Sequence, residues 1–110
     1  MEIKYSIFND AVRAMSLYAL DALDPGLQSE KKAYKGLKRQ TECRPETWEL
    51  MGRSQDMVRA FFSQASYTAF DKALRTKVSI EDVPNVEFEE ARAVAIDKMS
   101  EELEGLTGGI

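Results

Sequence analysis

Six cations crowd into residues 31–44 of a chain that is acidic as a whole. Lys31, Lys32, Lys35, Lys38, Arg39 and Arg44 stand there against a single carboxylate, Glu42. Lysine and arginine neutralise phosphate charge or meet an acidic protein face, and Tyr34, lying among them, offers a ring on which a base can stack. Lys31, Lys32, Tyr34, Lys35, Lys38, Arg39 and Arg44 are therefore the expected partner- or anion-binding set. No helix-turn-helix, zinc finger or RNA-binding aromatic motif accompanies them.

The opposite charge gathers at 81–110. Glu81, Asp82, Glu87, Glu89, Glu90, Asp97, Glu101, Glu102 and Glu104 oppose only Arg92 and Lys98. At helical spacing Glu90, Asp97, Glu101 and Glu104 share a face. Carboxylates so placed can hold Mg²⁺ or Mn²⁺, as in metal-dependent helical hydrolases. That face lies opposite Phe88, Ala91, Ala95 and Met99, so the carboxylates are expected to point to water. No metal or other cofactor is expected.

Other chemistry is sparse. Cys43 has cationic neighbours that would lower a thiol pKa, but no base or resolving cysteine goes with it, so a packing role is expected. The absence of histidine removes Ser-His-Asp triads, Cys-His pairs and an imidazole base. With one cysteine, zinc is nearly excluded as well. Serines are numerous without a motif around any of them. Gly26, Gly36 and Gly52 are isolated, so no phosphate-cradling loop is present. No catalytic residue is nominated.

Composition agrees with a small globular domain. The chain has 110 residues, 44% hydrophobic and 31% charged, and is read as a single helical domain over 1–110. The net charge of −4 and pI of about 4.9 argue against whole-protein attraction to nucleic acid or anionic lipid. The charge is uneven: −3 over 1–30, +5 over 31–44, +1 over 45–80 and −7 over 81–110. A lone cysteine fits a reducing cytoplasm. No apolar run nears the roughly 18–20 residues that cross a bilayer, and MEIKYSIFND lacks the basic lead and apolar stretch of a secretory leader.

The elements that must carry these groups follow from periodicity. Ile3, Tyr5 and Ile7 alternate, as do Val78 and Ile80, which suggests a minor two-stranded ribbon pairing 2–7 with 76–80. A helix over 8–23 aligns Phe8, Ala11, Val12, Met15, Tyr18, Ala19, Ala22 and Leu23, with Ser6 or Asn9 as its N-cap and Asp24-Pro25-Gly26 as its terminating turn. Leu17 and Leu20 fall on or near its far side and are the expected apolar contact residues. A short helix is placed at 28–38. Over 46–75 a stripe runs through Trp48, Met51, Val58, Phe61, Phe62, Ala65, Ala69 and Ala73. Unbroken, that helix would be about 45 Å long, so it either breaks, near Gly52, or protrudes toward a partner. The last helix, 86–104, is capped by Asn85, presents Phe88, Ala91, Ala95, Ile96, Met99 and Leu103, and stops at Gly105. Residues 105–110 are expected to fray.

The expected fold is thus all-α, a small bundle of three to four helices. The expected function is a non-enzymatic interaction protein, a regulator, inhibitor or assembly factor that works through protein contacts and self-association. A nucleic-acid or nucleotide module using 31–44, and a metal-dependent hydrolase using the last helix, are the alternatives.

Overall fold

The computed structural model describes residues 2–32 and 43–108, and these are all-α, without a strand. They form α1 (Glu2–Ala22), α2 (Pro25–Lys32), α3 (Pro45–Phe61), α4 (Gln64–Arg75) and α5 (Val86–Gly108), with a 3₁₀ turn at Ile80–Asp82. α1 packs chiefly on α3, and α4 chiefly on α5; α3 also touches α4, and α5 touches α1. Named contacts give the directions. Arg44, just before α3, binds Asp21 near the end of α1, while Lys4 lies over the ring of Phe62, just after α3. Ser63 and Ser66 at the start of α4 bind Glu102 near the end of α5. Tyr18 donates to the carbonyl of Thr76, just after α4. The four long helices therefore alternate in direction, up-down-up-down, with short connections joining α3 to α4 and α4 to α5.

The proposed ribbon is absent. Residues 2–7 are the first turns of α1, and Ile3 and Tyr5 are exposed while Ile7 is buried. Ile7 belongs to a helical stripe with Ala11, Ala14, Met15, Tyr18 and Ala22. The alternation over five residues could not be told from helix because both periods fit so short a run. Ser6 and Asn9 consequently lie inside α1 and cap nothing. Residues 76–80 are extended loop entering the 3₁₀ turn, with Val78 buried and Ile80 exposed.

The 46–75 pattern does break, but at Phe62-Ser63 and not at Gly52, which sits inside α3. Phe62 and Ser63 are both extended, and the Ser63 hydroxyl accepts the Ser66 amide as an N-cap. The reversal turns Phe62 inward and leaves Phe61 exposed. The stripe on α3 is also rotated. Thr47, Leu50, Met51, Ser54 and Val58 are buried, whereas Trp48, Phe61 and Ala65 are exposed. The small polar residues Thr47 and Ser54 thus take core positions beside Leu50, Met51 and Val58, on the helix that packs chiefly against α1.

One of them is uncompensated. Ser54 is 1% exposed, and its hydroxyl has no hydrogen-bond partner among the described residues. Burying a hydroxyl without a partner costs on the order of 1–3 kcal/mol. Ser54→Ala is therefore expected to hold or raise stability, by up to about 1 kcal/mol, as a higher urea midpoint at unchanged slope. A lower midpoint would mean that the hydroxyl is bonded in solution.

α2 starts earlier than the 28–38 helix. Asp24 caps it, accepting the amides of Gly26 at 3.0 Å and Leu27 at 3.3 Å, and Pro25 occupies the first helical position, where its missing N–H is harmless. Positions 33–38 lie outside the described residues. Pro45 plays the expected first-position role in α3. α5 runs past Gly105 to Gly108, so the glycine stop does not operate.

Candidate interaction surface

Arg44, expected in the anion-binding set, is committed within the fold. Its backbone amide donates to Asp21 Oδ2 at 2.9 Å, and its guanidinium donates to Asp21 Oδ1 and, at 2.6 Å, to Asp24 Oδ2. The Arg44 guanidinium and the Leu27 amide hold Asp24 below the ordinary carboxylate range. Asp21 is buried, and its carbonyl accepts the Gln28 side chain at 2.7 Å. The same end of the bundle thus joins α1, α2 and α3. Lys31 and Lys32 lie on α2. Tyr34, Lys35, Lys38 and Arg39 lie outside the described residues. Cys43 is buried beside Arg44, where a thiol is a packing group.

Two further elements complete this end. Asn85, at the N-cap position of α5, turns its side chain onto Ser79, accepting that residue's amide at 3.0 Å and donating to its carbonyl at 3.1 Å. It therefore pins the 79–85 loop and leaves the cap of α5 to other groups. The Tyr18 ring packs on Phe88 at 5.8 Å between centroids. Around this rigid frame the end carries exposed Leu20, Leu23, Trp48, Ile80, Val83 and Val86. Leu20 is 63% exposed. Leu17, its expected companion, is partly buried against the core. Ile3, Tyr5 and Phe61 are at the far end, and Val94 lies midway along α5.

The far end is polar by comparison. Glu102 Oε1 accepts the Ser63 amide at 2.9 Å and Oε2 accepts the Ser63 hydroxyl at 2.8 Å. Oε2 also accepts the Ser66 hydroxyl, and Lys4 lies 3.7 Å from Oε1. Burial works to raise the Glu102 carboxyl. The hydroxyls of Ser66 and Ser63, the Ser63 amide and Lys4 outweigh it and hold the group below the ordinary glutamate range. A carboxyl lowered in the folded state stabilises fully above its unfolded pKa, and that stability is lost as the pH falls through the folded value. The stability gap between the protein and Glu102→Gln should therefore be widest at neutral pH and close on acidification below the ordinary glutamate range. Urea titrations at several pH values check this, and a gap independent of pH would contradict it.

Glu90, Asp97, Glu101 and Glu104 are all exposed, as expected for a face turned from the core. Among the described residues no group of three carboxylate or thiol side chains gathers to hold a metal ion. No described helix is long and apolar enough to cross a membrane. The sequence missed Trp48, Ile80, Val83 and Val86 as surface groups, because Trp48 falls within the apolar stripe and the other three lie in or beside a loop. The chain matches no known family model, no curated protein and no solved structure.

Proposed function

We propose that this protein is a small non-enzymatic helical interaction protein, a regulator, inhibitor or assembly factor that self-associates through the end of the bundle where the end of α1, the start of α3 and the 79–85 loop lie. One observation carries this. Among the described residues, six of the ten exposed large hydrophobics, Leu20, Leu23, Trp48, Ile80, Val83 and Val86, come from that end. Exposed apolar residues scattered singly mean little, whereas several on one part of a rigid frame mark a contact surface. Hydrogen bonds tie the frame where they stand: Arg44 joins the start of α3 to the end of α1, and Asn85 holds Ser79. A cytoplasmic setting fits the single buried thiol.

The paired substitution Leu20→Glu and Val83→Glu tests the proposal by sedimentation velocity over a wide concentration range. Both positions are exposed, so the fold should survive with an unchanged melting curve. The unmodified protein is expected to sediment as an oligomer, and the variant as a monomer. A protein that stays monomeric at every concentration and ionic strength would rule out self-association.

A further inference from the structure

α1 carries more apolar surface than its core-facing arc accounts for. A second stripe runs through Tyr5, Asn9, Val12, Ser16, Ala19 and Leu23, with Phe8 and Leu20 on its flanks. Its intervals are 4, 3, 4, 3 and 4, the heptad spacing of a helix that lies along another helix. At 100° per residue its centre stands about 140° from the centre of the buried arc. Tyr5, Asn9 and Leu23 are exposed, and Val12, Ser16 and Ala19 are partly so. The stripe follows about 27 Å of the helix. Over that length it holds no charge. Lys4, Asp10, Arg13 and Asp21 all lie at least about 80° from its centre.

Charge decides what can cover such a strip. The cations of the 31–39 stretch of the same chain would find no carboxylate on it to pair with. A second copy of the stripe would meet no like charge. The outer face of α5, where Glu87, Glu90, Asp97 and Glu101 are exposed, would repel its own copy. The stripe is also continuous with the apolar end of the bundle, to which Leu20 and Leu23 belong. We infer that α1 of a second copy packs along this stripe, parallel to the first and related to it by a two-fold axis. Asn9 sets the direction. Parallel pairing places it opposite its own copy, where the two side-chain amides bond each other, and a lone asparagine in a helical seam fixes register in this way. Parallel pairing also brings the two apolar ends side by side, so that seam and end form one surface. An interface of standard size takes about 20–30 residues from each partner, more than either feature supplies alone. The arrangement is closed and stops at a dimer. The inference rests on the proposal that the protein self-associates, and it adds the seam and the orientation.

The test puts charge at Asn9, which is exposed, so each variant should keep a melting curve close to the parent. Asn9→Glu and Asn9→Lys are each expected to associate at least about tenfold more weakly by sedimentation equilibrium. An equal mixture of the two is expected to recover association, because in a parallel pair the glutamate of one copy faces the lysine of the other. Asn9→Cys is expected to yield a disulfide-linked dimer on mild oxidation, whereas the parent, whose Cys43 is buried, is not. In an antiparallel pair the two Asn9 positions stand apart, and neither recovery nor cross-linking follows. Parent-like association of the charged variants, a mixture that stays dissociated, or an Asn9→Cys protein that stays unlinked would each overturn the inference. Loss of association in the Leu20→Glu, Val83→Glu protein together with parent-like association of both charged variants would leave the proposed function standing and remove only the seam. A parent that is monomeric throughout would remove both.

Discussion

Arg44→Met is expected to lower stability by about 2–4 kcal/mol, a fall of roughly 10–25 °C in melting temperature for a domain of this size. The basis is Asp21. This residue is 2% exposed, and it sits on the last turn of α1 with its carboxylate turned inward. Among the described residues both donors to its carboxylate come from Arg44, one from the backbone amide and one from the guanidinium. Methionine keeps the amide and much of the apolar stem, but it removes the charge. A buried carboxylate left without its cation bears the full desolvation penalty. The guanidinium is half exposed, so water can replace part of it, which places the effect toward the lower half of the range. The same change releases Asp24, which meets Arg44 with one oxygen and caps α2 with the other. Adding Asp21→Asn to Arg44→Met should restore part of the loss, since it removes the stranded charge. The two changes are thus expected to be strongly non-additive. Melting curves of the two single variants and the double variant check this. An Arg44→Met protein within about 0.5 kcal/mol of the parent would show that the carboxylate is reached by solvent.

Arg44 also marks where the sequence stopped being informative. Its neighbours in the chain are cations, so it reads as a member of a basic cluster. Its partner is 23 positions away, on a helix where Asp21 looks like an ordinary solvated residue. Side chains that fold back over such distances leave no local signal. Periodicity did better where the stripe was long and uniform. On α5 the residues Phe88, Ala91, Ala95, Met99 and Leu103 are all buried, and Ile96 packs beside them. On α1 the apolar stripe was placed on the right side, but the buried arc is turned by some 70° relative to it at 100° per residue. It takes in Asp21 and Ala14 at one edge and leaves Leu23 out. That rotation decides the two candidate contact residues. Leu20 is left about 160° from the centre of the buried arc. Leu17 lies only about 100° from it, within reach of the core. On α3 the mismatch has another source, because Thr47 and Ser54 take core positions that hydropathy assigns to water. The break at Ser63 rests on a hydroxyl cap, and one serine among eight does not announce itself. The exposure of Ile80, Val83 and Val86 depends on how Asn85 folds the loop, which no periodic pattern encodes.

Phe88→Ala is expected to be the most damaging single truncation of the surface-bearing helix, at about 3–5 kcal/mol. Phe88 is 1% exposed and stands in the first turn of α5, directly between the outward carboxylates Glu87 and Glu89. Its ring packs against Tyr18 of α1, and Arg92 lies over it at 5.9 Å. The residue thus joins the start of α5 to the end of α1, where the exposed apolar cluster is found. A loss of that size is a large fraction of the 5–15 kcal/mol available to an ordinary domain, so partial unfolding near 37 °C is expected. Phe88→Leu keeps most of the volume and should cost less than about 2 kcal/mol. Tyr18→Phe separates the ring from its hydroxyl. It retains the aromatic contact and gives up the 2.8 Å bond to the Thr76 carbonyl, at a cost of about 1 kcal/mol. Urea unfolding of the three variants should therefore rank Tyr18→Phe and Phe88→Leu well above Phe88→Ala. If Tyr18→Phe instead matched Phe88→Ala, the junction would depend on the hydroxyl bond more than on apolar packing. Because Phe88 anchors the start of α5, where Val86 is exposed, Phe88→Ala should also weaken association, as read by sedimentation alongside circular dichroism.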